Sequence, residues 1–209
     1  MAKDSSLYEH IDSAAVGNFT RTTVSELAGR ASVLTKAEEF GLEFNNDDAK
    51  KLIEEVQNLE HMGYQFEAAD GSLFILMNKL KNIEPNFFKF ESFRVFSERR
   101  NSENVVSEAV CKIIVDENRY VKTGEGVGPV DALSKALKSA LENDYSRVNE
   151  IKLIDYKVRI IDSSDGTEAK TRVLIEFTDS NKKWSTIGVH ENIINCLLYT
   201  SDAADEQLS

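Results

Sequence analysis

Proline is nearly absent. Only Pro85 and Pro129 occur in 209 residues, which argues against long proline-rich linkers. Cysteine is as scarce, and Cys111 and Cys196 alone make no disulfide framework. Long apolar runs are missing too. The longest uncharged one, Ser72 to Met77, falls far short of the roughly 20 residues that span a bilayer. The start, Met1-Ala2-Lys3-Asp4, is polar and no apolar h-region follows, so no signal peptide is read. Positive charge is not in excess. A formal net charge of −11 repels phosphate backbones and removes nucleic acid from the expected partners. Clusters such as Lys79, Lys81 and Lys89, or Arg94, Arg99 and Arg100, read as solvated faces. The histidines His10, His61 and His190 are scattered, with no pair at metal-ligand spacing, so no metal site is expected. No Ser/His/Asp or Cys/His set has local support. These absences predict a cytoplasmic protein with no membrane association.

What is present is periodicity. Residues 1–84 read as helical. One helix follows Ser25 and runs to Phe40, with Gly41 at a left-handed C-cap. Asn46 and Asp47 are N-cap candidates for the next, whose Leu52, Ile53, Val56 and Leu59 form one apolar stripe ended by Gly63. A third is predicted from Phe66 to Lys81, stopping near Pro85. After Pro85 the period changes from helical to alternating. Strands are expected from Phe88 to Val95, Val105 to Val115 and Tyr120 to Gly124, then a helix from Val130 to Glu142. The pattern recurs, with strands Ile151 to Asp162, Ala169 to Thr178 and Trp184 to Gly188, and a helix beginning near Glu191.

The two halves match by eye. Phe93-Arg94-Val95 pairs with Tyr156-Lys157-Val158, Glu108-Ala109 with Glu168-Ala169, and Gly126-Val127 with Gly188-Val189. The expected fold class is therefore α+β. A helical subdomain over residues 1–84 precedes a duplicated βββα module over 86–195 with pseudo-two-fold symmetry. One helix covers one face of each three-stranded sheet, so an open apolar face invites pairing, within the chain or as a homodimer. Residues 196–209, beginning Cys196-Leu197-Leu198-Tyr199-Thr200, do not continue the helical pattern. They look like a reading frame of a transposase-type sequencing adapter, and are read as a non-native tail.

Several segments resemble a known family. Tyr8-Glu9-His10-Ile11-Asp12, Val16-Gly17-Asn18 and Ser25-Glu26-Leu27-Ala28-Gly29-Arg30 look like the segment after the catalytic barrel in citramalate synthases, of the isopropylmalate and homocitrate synthase superfamily. The stretch Gly63 to Ser72 continues the match. Gly126 to Ala132, Asp155 to Arg159, and Trp184 to Asn192 resemble that family's C-terminal regulatory and dimerisation domain. Ser13 stands where members usually carry proline. Glu26-Leu27-Ala28-Gly29-Arg30 differs from the His-Ser-Gly-Arg of isopropylmalate synthases and favours citramalate. The resemblance implies an acyltransferase joining acetyl-CoA to pyruvate for isoleucine synthesis. It also implies that the divalent metal, substrates and catalytic base belong to a barrel this chain lacks, so the chain alone is expected to be inactive and to hold no cofactor.

Gly124-x-Gly126-x-Gly128-Pro129 after a strand and before a helix raises a phosphate loop. The motif is incomplete, and Glu125 and Asp131 would oppose a phosphate. Glycines for a tight turn with Pro129 at the first helical position explain part of it. In the resembled family this loop lines the pocket of the feedback amino acid. The expected effector residues are thus Gly126, Gly128, Pro129, Val130, Asp131 and Ala132, with Gly188, Val189 and Asn192 as the matching wall and isoleucine favoured over leucine. Tyr8 would support a neighbouring subunit's active site, and Arg30 would meet the acyl-CoA or bridge to a carboxylate. Two rivals stay open: the regulatory region of an isopropylmalate synthase, and a stand-alone amino-acid-binding dimerisation module.

Overall fold

The computed structural model describes residues 29–83, 88–100, 104–161 and 169–196. Among the described residues three helices come first: α1 (Arg30–Glu39), α2 (Asn46–His61) and α3 (Asp70–Leu80). The cap of α2 sits one residue before the expected candidates. Asn45 accepts hydrogen bonds from the Asp47 and Asp48 N–H groups, and the Asp48 carboxylate accepts from the Asn45 N–H. Gly41 takes the expected left-handed conformation, φ 72°, and the Leu42 N–H closes back on the Ala37 carbonyl. The third helix is shorter than its sequence suggests. A 3-10 turn (Phe66–Ala68) stands apart, because Ala69 breaks the run at φ −127°, ψ 59°.

Two three-stranded antiparallel sheets follow. The first holds β1 (Lys89–Arg100), β2 (Asn104–Val115) and β3 (Asn118–Gly126) in that order. Helix α4 (Pro129–Leu141) lies across it. A 3-10 segment (Ser146–Glu150) leads to the second sheet: β4 (Lys152–Ile160), β5 (Thr171–Thr178) and β6 (Lys183–His190). A short helical turn, residues 193–196, ends the described chain. Each first strand slips register near its start, β1 between Phe90 and Ser92, β4 between Leu153 and Asp155. The slip places Leu153 and Tyr156 on one face, although they are three residues apart. Their partners Phe177 and Ile175 show this.

Two cores result. One joins both sheets and α4. It contains Ala109, Cys111, Ile113 and Val115 from β2, Ala132, Ala136 and Leu137 from α4, and Val173, Ile175 and Phe177 from β5. The other belongs to the helices, through Val33, Leu52, Val56, Leu73 and Met77, and takes Ile187 from β6, with Leu174 packed against it. Strands β5 and β6 are therefore packed on both faces, while β4 stays largely exposed. That departs from a module whose two units only face one another. Arg172 also reaches the helices, donating to the Gly63 carbonyl at 2.5 Å and the Gln65 side chain at 2.9 Å. The helical segment thus docks on the sheet that lies farther along the chain.

Candidate functional site

The turn between β3 and α4 carries the sequence motif, and its glycines play different parts. A Cβ at Gly124 would stand 2.4 Å from the Ala132 carbonyl oxygen, and one at Gly126 would stand 2.5 Å from the Ala132 nitrogen. Those two glycines let β3 lie directly against α4, with Ala132 as the other side of that contact. Gly128 is different. Nothing lies within 4 Å of where its Cβ would be, and its backbone is extended at φ −152°, ψ 173°. The fold does not require glycine there. Pro129 occupies the first turn, and no side chain caps the helix. The start of α4 therefore offers backbone N–H groups toward solvent.

A cleft of about 430 Å³ opens at this point. Val127, Gly128, Pro129, Val130, Asp131 and Ser134 line one side, Leu153 and Tyr156 of β4 the other. The volume falls in the range of small-ligand sites. Val127 is 86% exposed at its mouth. The Asp131 carboxylate accepts from the Val127 N–H at 3.1 Å and from the Lys135 ammonium at 2.9 Å. The Lys135 hydrogen bond, more than the Val127 one, holds its carboxyl below the usual range. Glu125, read with Asp131 as opposing a phosphate, stands opposite Glu108 on the exposed face of the first sheet, its side chain turned away from α4.

The structure brings together Gly128, Pro129, Val130 and Asp131, with Gly126 and Ala132 just behind them. It does not bring Gly188, Val189 and Asn192 to this cleft. Gly188 packs against Cys196, where a Cβ would meet the carbonyl oxygen at 2.7 Å. Val189 faces the Gly63 turn. The Asn192 side chain accepts from the Ile194 N–H at 2.9 Å and so caps the last turn. The facing wall of this cleft is β4. Sequence reading missed Ser134, which lies one turn along α4 from Val130 and Asp131, and it missed Leu153 and Tyr156 because the register slip in β4 breaks the alternation that marks a shared face. Arg30 is exposed at the start of α1. Tyr8 lies outside the described residues, as does the tail beyond Cys196.

Among the described residues, no group of three His, Cys, Asp or Glu is placed to hold a metal ion. Burial pushes the Cys111 thiol up to about 12, far from a nucleophile's range. No described helix is long and apolar enough to cross a membrane. The arrangement suits binding: an uncapped helix start, a small apolar wall and a tethered carboxylate.

Residues 67–197 match the LeuA allosteric (dimerisation) domain, a stretch that includes every element from α3 onward. The chain belongs to that family. In this LeuA-type chain the match takes in α3 and so crosses from the helical segment into the two sheets, in keeping with their shared packing. Over 195 residues the chain is 44% identical to the (R)-citramalate synthase of Aquifex aeolicus, covering 92% of this chain and 37% of that protein. It is 41% identical over 191 residues to the (R)-citramalate synthase of Geobacter sulfurreducens, covering 90% and 36%. That of Streptomyces coelicolor is 41% identical over 194 residues, covering 91% and 36%. The chain spans little more than a third of the length of these relatives.

Proposed function

We propose that this chain is the linker and regulatory region of a citramalate synthase, and that it binds a branched-chain amino acid, isoleucine before leucine, in the cleft between α4 and β4. The carrying observation is Gly128. It has open space around it and a backbone any residue could adopt, yet it sits at an uncapped helix start. Backbone N–H groups there suit a carboxylate. Val127, Val130, Leu153 and Tyr156 suit a short branched side chain. Asp131 can meet an ammonium group only with its charge already shared with Lys135, so the carboxylate and side-chain contacts carry most of the affinity. One methylene changes pocket affinity by roughly 1–3 kcal/mol, so leucine is a weaker ligand and not a rejected one.

The LeuA family description and the open face of β4 support a homodimer. Tyr156, Val158 and Ile160 share the inner face of the second sheet, yet are 50%, 40% and 66% exposed. Association would cover them. We also read the two βββ units as copies. The matching register slips in β1 and β4 support this. Strand pairing then aligns Ala109 with Val173, not Ala169, and Gly124 with Gly188. Condensation of acetyl-CoA with pyruvate, with its divalent metal, would belong to the rest of such an enzyme. On this reading the chain alone releases no free CoA from that mixture. Supporting roles for Tyr8 and Arg30 toward acyl-CoA would likewise need the intact enzyme.

Calorimetry with the chain tests the effector site. Isoleucine binding is expected in the native sequence and its loss in Gly128→Val, with the circular dichroism spectrum unchanged. Undiminished binding in Gly128→Val would place the pocket elsewhere.

A further inference from the structure

The cleft wall connects across the second sheet to the helices. Leu153 pairs with Phe177, which pairs with Trp184. The Phe177 and Trp184 rings are stacked with centroids 6.2 Å apart. Tyr156 pairs with Ile175, which pairs with Thr186. Two rows on one sheet face thus start at the cleft and end on β6. Both end at the same place, Gly71 in the first turn of α3. A Cβ at Gly71 would lie 3.0 Å from Thr186 Cγ2, 3.3 Å from Trp184 Cδ1 and 3.0 Å from the Ser185 carbonyl oxygen. The helix meets the sheet there with no side chain between them.

Two buried polar atoms stand at that junction. Among the described residues, Trp184 Nε1 and Thr186 Oγ1 are buried side-chain atoms with no hydrogen-bond partner. Native proteins rarely leave such groups unpaired, and where they do the group calls for an explanation in strain, in chemistry or in a bound water or ion. Here two of them lie at the far ends of the two rows that begin at the cleft. An arrangement that gave either atom a partner would be favoured, and Leu153 and Tyr156 are the cleft residues that share their rows.

We propose that Trp184 and Thr186 are positioning residues that report occupancy of the cleft to α3: filling the cleft moves the two rows, re-seats Trp184 against Gly71 and gives the Thr186 hydroxyl a partner. This rests on the effector reading. The helical segment is then the element whose position depends on ligand. Thr186→Val replaces the unpartnered hydroxyl with a methyl group of the same shape. It relieves the cost in the empty state only, so it raises the melting temperature without ligand and weakens isoleucine binding several-fold.

Trp184 is the sole tryptophan, so its fluorescence reads the junction without a label. The experiment titrates isoleucine into the native chain and Thr186→Val. It follows calorimetric heat, tryptophan emission and hydrogen exchange of residues 70–75. Support requires three results: an emission shift with the same midpoint as the heat, altered exchange at the start of α3, and weaker binding with a higher melting temperature in Thr186→Val. Binding heat with unchanged emission and unchanged exchange overturns the proposal and leaves the effector site standing. So does a Thr186→Val chain that melts higher but binds isoleucine equally well. No binding heat in the native chain overturns the effector reading, and this proposal with it.

Discussion

Ser72 closes the free edge of the second sheet at Ile187. Its hydroxyl oxygen accepts from the Ile187 N–H at 2.9 Å and donates to the Ile187 carbonyl at 3.5 Å. An unpaired strand edge exposes such groups, and here a helix side chain supplies the missing partner. Ser72→Ala leaves a buried N–H unsatisfied, with Ile187 only 4% exposed. The expected loss is about 1–3 kcal/mol in chemical denaturation. A loss below a few tenths would mean that water replaces the hydroxyl.

The glycines of the β3–α4 turn should respond oppositely. Gly124→Ala drives a methyl group into the Ala132 and Ala136 backbone. Overpacking of that kind costs about 1–3 kcal/mol. Gly128→Ala meets nothing and should stay within about 0.5 kcal/mol of the native chain. Thermal melts of the two variants side by side check this contrast.

Lys36 is buried, with its ammonium 3.1 Å from Glu39 and 3.2 Å from Asp70, and its charge over the Phe40 ring at 5.0 Å. Both carboxylates keep 41% exposure. Removing the lysine therefore strands no buried charge. Lys36→Met is expected to be neutral or mildly stabilising, within about 1 kcal/mol. Asp70→Ala leaves the buried ammonium short of a partner and should cost more than Lys36→Met. Equal losses in the two variants would contradict this ordering.

Asp48 ties the start of α2 to Lys81 at 2.8 Å. The Lys81 hydrogen bond first, and the Asn45 N–H second, hold its carboxyl below the ordinary 3.8. A depressed folded value stabilises the protein above the unfolded one. That stability is lost as pH falls through the lower folded value. Melting followed from neutral pH to roughly pH 3 should therefore fall more steeply for the native chain than for Asp48→Asn. Parallel curves would show that the contact contributes nothing.

The exposed inner face of β4 should mediate a weak dimer. Val158→Glu places a charge on that face, 40% exposed in the single chain and so no threat to folding. Light scattering over a concentration series should show association in the native chain and a monomer in the variant. A native chain that remains monomeric throughout would remove β4 as the interface.

Much of this architecture can be read from the residues. Alternation and turn chemistry place the six strands of the described residues, and Gly41 and Gly63 end their helices where a left-handed residue is needed. The Gly-rich turn draws attention to the start of α4, where the cleft opens. Three things resist reading. The cap of α2 falls on Asn45 because its side chain, not that of Asn46, meets two free N–H groups. The Phe66–Lys81 run splits because the Ala69 backbone leaves the helical region, although alanine has the highest helix propensity. The cleft's second wall is hidden because a register slip brings Leu153 and Tyr156 to one face, against strict alternation. Alternating apolar residues in β5 and β6 also serve two cores at once, which periodicity alone does not separate.

Backbone amide shifts during an isoleucine titration test the central claim most directly. The account predicts saturable shifts at Val130 and Asp131, smaller ones with leucine, and none with lysine. Shifts confined to the Gly188–Asn192 segment, or no saturable shift at the start of α4 at any isoleucine concentration, would contradict it.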